Sequence, residues 1–110
     1  MDSALIPITS ADHLPGETIV DHIDVVYGNT VRAKHLGRDI MAGLKTVVGG
    51  EIRGYTEMLR EARDEALDRM KEDALDLGAD AVINVRFTTS MVMQGMAEML
   101  AYGTAVRLKD

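Results

Sequence analysis

The sequence predicts an α+β fold: a mainly antiparallel sheet with one long and one short helix packed on it. Apolar residues recur at steps of three and four over Glu51–Leu77, the helical period. Three other segments are β-branched or alternate apolar with polar residues, the strand period. The last two of these are joined by Met91–Glu98, short enough for a hairpin, and at 110 residues the chain forms a single domain, 1–110.

Ala4–Thr9 is a short apolar run broken by Pro7, which restricts it to a short or edge strand. After a turn at Leu14-Pro15-Gly16, Thr18–Tyr27 reads as a strand with Ile19, Ile23, Val25 and Tyr27 on one face, ended by Gly28-Asn29. Leu36–Val48 carries Ile40, Leu44, Val47 and Val48 at helical spacing and predicts the short helix, broken by Gly49-Gly50. The long helix follows, with Gly78 placed for a left-handed C-terminal cap.

At 1.5 Å per residue this helix is longer than a globule of this size is wide. Its apolar residues, among them Ile52, Tyr55, Met58, Ala62, Ala66, Leu67 and Met70, spread over about half the circumference, more than the stripe of about 100° that one sheet requires. The excess points to a partner subunit. Arg63 and Asp73 project inside that arc, where Arg63 acts either as aliphatic filler or as a paired charge at a subunit contact. Asp80–Ser90 alternates, with Ala81, Ile83, Val85 and Phe87 inward and Val82 the exception. In Met99–Leu108 the small Ala101, Gly103 and Ala105 share a face against which something packs closely.

Composition narrows the function. Aromatic residues make up 4% and tryptophan is absent, so the core is aliphatic and methionine-rich. A formal net charge of −6 opposes nucleic acid and anionic lipid, and the scarcity of aromatics removes stacking platforms for single strands. With no cysteine there is no disulfide, thiolate metal site or cysteine nucleophile. The N-terminus has no secretory pattern and no apolar stretch approaches membrane-spanning length, so the chain reads as cytoplasmic.

The run VVGGEIRGYTEMLREARDEAL, the junction LGADAVINVRF and the closing YGTAVRL together resemble the YbjQ-like family, whose name attributes heavy-metal binding to it. The resemblance spans roughly Gly16–Leu108 and implies a dodecin-subunit-like fold assembled as a pentameric ring. It supplies no catalytic residues. Where the family's usual pattern has a Gly-Asn turn before the last strand, this chain has Met91-Val92-Met93-Gln94-Gly95-Met96.

The residues themselves offer few chemical signals. His13, His22 and His35 lack the i, i+4 spacing of a helical metal site; His22 with Asp24 two residues on is the candidate pair, weighed against an ordinary strand histidine. Met91, Met93, Met96 and Met99 are either soft ligands or adaptable packing. Gly49, Gly50 and Gly54 serve either a helix corner or an anion at the helix N-terminus. Glu57, Glu61, Asp64, Glu65, Asp68, Glu72 and Asp76 read as a solvated face with a few i, i+4 pairs such as Glu65–Arg69. No nucleophile–base motif or cofactor fingerprint occurs, so no enzyme or cofactor is predicted. The expected protein is a homo-oligomer binding a metal ion or small ligand between subunits, with Tyr55, Arg63, Met70, Asp73, Met91, Met93 and Met96 as interface candidates. The alternative is a scaffold that recruits a protein partner.

Overall fold

The computed structural model describes residues 6–33, 48–93 and 95–110, with side chains described from residue 54 onward in the helix. The predicted short helix falls outside the described residues. Strand β1 spans Ile19–Ala33, helix α1 Val48–Asp76, strand β2 Ala81–Met93 and strand β3 Met96–Leu108. The sheet has the order β1-β3-β2 with both pairs antiparallel, so the C-terminal strand is central. Gly95, at φ 79°, turns the β2–β3 hairpin where Met93 pairs with Met96.

Two expectations are corrected at glycines. β1 does not end at Gly28-Asn29 but continues to Ala33, and Gly49-Gly50 do not break the helix but stand in the first turn of α1, which they open. Gly28 is required by contact, not by a turn. A Cβ there would lie 2.0 Å from the Ala66 carbonyl oxygen and 2.3 Å from the Met70 nitrogen, so the helix backbone rests directly on the strand.

The helix makes that approach with a narrow stripe, Ala62, Ala66, Met70 and Ala74, all buried and spaced four apart. It meets Val26, Met99, Ala101 and Ala105 from the sheet, so the small face of β3 lies under α1. The buried Thr30 hydroxyl, beside the helix, donates to the Ala62 carbonyl at 3.0 Å. Thr30→Val keeps the shape and removes this donor, and is expected to lower stability by about 1 kcal/mol in a denaturant titration. The helix stops as its sequence predicts: Gly78 sits at φ 75°, its N–H donates to the Leu75 carbonyl (3.0 Å), and the Ala79 N–H donates to the Ala74 carbonyl (3.1 Å).

Irregularities in the strands redistribute side chains between the faces. In β2 the register shifts between Ile83 and Arg86, where Asn84 adopts φ 55°. Ala81 and Ile83 therefore pack with Val106, Leu14, Ile19 and Leu108 on the face away from the helix, whereas Val82 and Val85 join the core under it. The predicted common inward face of Ala81, Ile83, Val85 and Phe87 is thus split, because one extra residue inverts every later side chain. Shifts at Ile19/Asp21 and His22/Asp24 divide β1 likewise: Ile23 packs towards the helix while Val25 and Tyr27 stand on the open face.

The predicted first strand is reduced to a single parallel bridge, Ile8↔Val82. Residues 7–11 nevertheless cover the outer edge of β2, through Thr9 N–H to Val82 O (3.0 Å), Val82 N–H to Pro7 O (3.0 Å), Val85 N–H to Thr9 O (3.0 Å) and Asn84 N–H to Ala11 O (2.9 Å). Helix side chains cover the middle of the outer edge of β1, where the Tyr27 N–H donates to the Asp73 carboxylate (3.1 Å) and Arg69 donates to the Asn29 carbonyl (2.6 Å). Glu65 pairs with both Arg69 and Arg32 and ties helix to strand. The second half of β2, from Arg86 to Met93, is exposed throughout and its outer edge has no backbone partner among the described residues.

The shape is elongated, 59 × 23 × 23 Å with a radius of gyration of 17.5 Å, against about 13 Å for a compact chain of this length. Its 7088 Å² of accessible surface also exceeds the roughly 6,000 Å² expected of a monomer of this mass.

Candidate functional site

The face of the sheet away from α1 carries a shallow groove of about 750 Å³. Alternation along the strands places its side chains there: Val25 and Tyr27 point opposite to the buried Val26 and Gly28, and Tyr102 and Thr104 opposite to Ala101 and Ala105. The register aligns them in rows. Tyr27 lies across from Tyr102, which lies across from Arg86; Val25 faces Thr104; Asn29, Leu100 and Thr88 form the next row. Residues directly across a sheet have Cβ atoms about 5 Å apart, so each row is a contiguous surface.

The bulge brings Asn84 into this groove, and Arg86, the one cation among the described residues that line it, is held in place. One guanidinium nitrogen of Arg86, Nη1, donates to the Ser10 carbonyl (2.7 Å) and to the Val85 carbonyl (3.0 Å). No carboxylate among the described residues forms an ion pair with Arg86. Glu98, further along the same face, accepts instead from Asn29 (3.5 Å) and Ser90 (3.3 Å). Arg86 and Tyr102 were not among the residues singled out from sequence. The alternation placed Arg86 outward, but no local pattern says that three strands bring it beside Tyr102 and Tyr27.

The sequence-predicted residues do not gather into one site. His22 and Asp24 are both exposed, and the intervening irregularity sets His22 across from Val106 but Asp24 across from Ala105, adjacent residues that point to opposite faces. The premise that the pair shares a face is therefore corrected. The Asp24 carboxylate accepts the Val25 N–H at 2.7 Å. His13 bonds Asp12 at 3.0 Å on the surface, and this hydrogen bond and the nearby imidazole charge hold the Asp12 carboxyl below its ordinary range. His35 lies outside the described residues. Tyr55 and Asp73 are half-buried, and Arg63 is exposed because the helix packs through its alanine stripe and not through the centre of the projected arc. Met70 is fully buried within its own chain, which removes it from any interface. Met91 and Met93 are exposed at the hairpin, Met96 is half-buried and Met99 is buried.

Among the described residues no three His, Asp or Glu side chains converge as a metal site requires. The described imidazoles and carboxylates of one chain therefore do not by themselves form a heavy-metal site. No described helix is long and apolar enough to cross a membrane.

These features define a small α+β fold with a three-stranded antiparallel sheet, one described helix and a groove on the sheet face away from it. The chain belongs to the YbjQ family, described as "Putative heavy-metal-binding", whose model matches residues 6–109. A UPF0145 protein of Archaeoglobus fulgidus is 64% identical over 104 residues, covering 94% of this chain and 96% of that protein. Another, from Hahella chejuensis, is 63% identical over 99 residues, covering 90% and 95%. The fold is similar to that of a protein of unknown function from the DUF74 family of Pediococcus pentosaceus, at a TM-score of 0.59 and 18% identity, over 94% of this chain and 98% of that one.

Proposed function

We propose that the protein is a cytoplasmic, non-enzymatic binding protein that works as a homo-oligomer, a ring of five copies, with its ligand held on the open sheet face. The observation that carries the assembly is the second half of β2. Phe87 is 40% exposed and Met91 63% exposed on the helix side of the sheet, across from Ala101 and Ala97, and Val92 and Met93 extend the apolar surface to the hairpin tip. A long strand edge left open among the described residues invites pairing with another chain, whereas the first half of β2 and the middle of β1 carry backbone or side-chain partners. The elongated shape and surplus surface support the same reading. The number five rests on the family resemblance. A metal ion in such a ring would draw its donors from several copies, with His22 the first to test.

Light scattering on the purified protein is expected to give five times the 12.0 kDa chain mass. Replacing both Phe87 and Met91 with Lys places charge on the contact and is expected to yield a folded monomer. A monomeric wild-type protein would sink the assembly reading. The exposed Met91, Val92 and Met93 also favour a second reading, a scaffold whose flexible thioether surface recruits another protein. A monomeric wild type with no small-molecule ligand would move the weight there.

A further inference from the structure

The open-face groove has a specific chemistry. Its middle row places two aromatic rings and a guanidinium side by side, Tyr27, Tyr102 and Arg86, on three different strands. Tyr27 is 56% exposed, so an aromatic surface stands in water on one side of the groove, bordered by the apolar Val25 and Leu100. A planar apolar molecule laid there would remove that surface from water and gain ring-to-ring contact.

Arg86 sets the charge of that molecule. Two backbone carbonyls hold Nη1, which fixes the plane of the guanidinium and leaves its remaining donors for another acceptor. In a chain with eighteen acidic residues, no described carboxylate pairs with it. Glu98 is four residues from Tyr102 along β3, about 13 Å away at strand rise, and is occupied by Asn29 and Ser90. Asn84, turned into the groove by the bulge at φ 55°, adds a polar amide beside the guanidinium. A single cation among the described lining residues matches a single negative charge. A doubly charged phosphate would require further cations, against a net charge of −6. The groove volume of 750 Å³ lies within the roughly 300–1,000 Å³ typical of small-molecule sites.

We infer that the row Tyr27–Tyr102–Arg86 binds a small planar aromatic carboxylate, its ring against the two tyrosines and its carboxylate on the Arg86 guanidinium. This rests on the reading of the protein as a binding module, and not on the number of copies in the assembly.

The test uses the full-length protein, 2-naphthoate and its uncharged counterpart 2-naphthalenemethanol, followed by amide chemical shifts. Saturable shifts confined to Val25–Tyr27, Asn84–Thr88 and Leu100–Thr104 are expected with the acid, and binding of the alcohol about tenfold weaker or worse, since a charge-assisted bond is lost. Arg86→Gln is expected to weaken the acid by about the same factor and leave the alcohol unchanged. Arg86→Lys, which keeps the charge but loses the fork, should fall between. Absence of saturable shifts with the acid in the millimolar range overturns the inference, as does an equal loss of acid and alcohol in folded Arg86→Gln. Native mass is measured on the same samples. A lower mass for Arg86→Gln than for wild type would make Arg86 a subunit contact and overturn the inference in favour of a second copy on this face. Naphthoate binding by a monomeric wild type would uphold it while removing the assembly reading, and a pentamer that ignores naphthoate would do the reverse.

Discussion

Gly28→Val is expected to be among the most damaging single substitutions in the chain, lowering stability by about 3 kcal/mol or more, the upper end of overpacking costs. The reason is what the new side chain would strike. Its Cβ would fall 2.0 Å from the Ala66 carbonyl oxygen, 2.3 Å from the Met70 nitrogen and 2.9 Å from the Arg69 carbonyl carbon, all helix backbone, which cannot swing aside as a flexible side chain can. Relief requires lifting α1 from the sheet, and that strips contacts from Ala62, Ala66, Met70 and Ala74 together. Gly28→Ala should suffer most of the same loss, because the clash begins at Cβ. Gly16→Ala is the control: no atom lies within 4 Å, so its cost comes from φ +76° alone, about 1 kcal/mol. Urea midpoints of the three variants measure the order. A Gly28→Ala midpoint no lower than that of Gly16→Ala would refute the close approach.

That glycine also shows where the sequence is ambiguous. Gly28-Asn29 is a good turn signal, and the same residue type is needed where a helix backbone touches a strand; nothing local separates the two. Gly78 was legible because its requirement is local, a left-handed residue after the last apolar position of a long periodic run. The long helix and the alternating strands were legible for the same reason, and the hairpin followed from a short connection. The two faces of β1 and β2 were not, since a one-residue irregularity at His22/Asp24 or Ile83/Arg86 inverts everything after it and is fixed by pairing with β3. The groove suffers doubly. Tyr27 and Tyr102 meet only because the last strand inserts between the first two, an order that no composition or period encodes. Arg63 differs: it projects within a broad arc, but the sheet of its own chain uses only the alanine stripe beside it, which leaves the guanidinium exposed.

Met70→Ala is expected to cost about 3 kcal/mol, within the 2–5 kcal/mol range for truncating a buried Met. Met70 is the largest of the fully buried side chains and belongs to the helix-side core with Val26, Ala101 and Ala105. Those neighbours are small or stiff, and α1 is already seated on Gly28, so the helix has no room to settle and fill the void. The most informative variant combines Met70→Ala with Gly28→Ala. The two positions touch, and contacting positions usually couple. Here the obstacle at Gly28 is the Met70 main-chain nitrogen and not its thioether, so removing the side chain opens no space for the new methyl group. The double variant should therefore lose the sum of the single losses or more. A double variant more stable than that sum by over about 1 kcal/mol would mean that α1 slides along the sheet once the thioether is gone, and that the side chain of Met70, more than the contact at Gly28, sets the helix register.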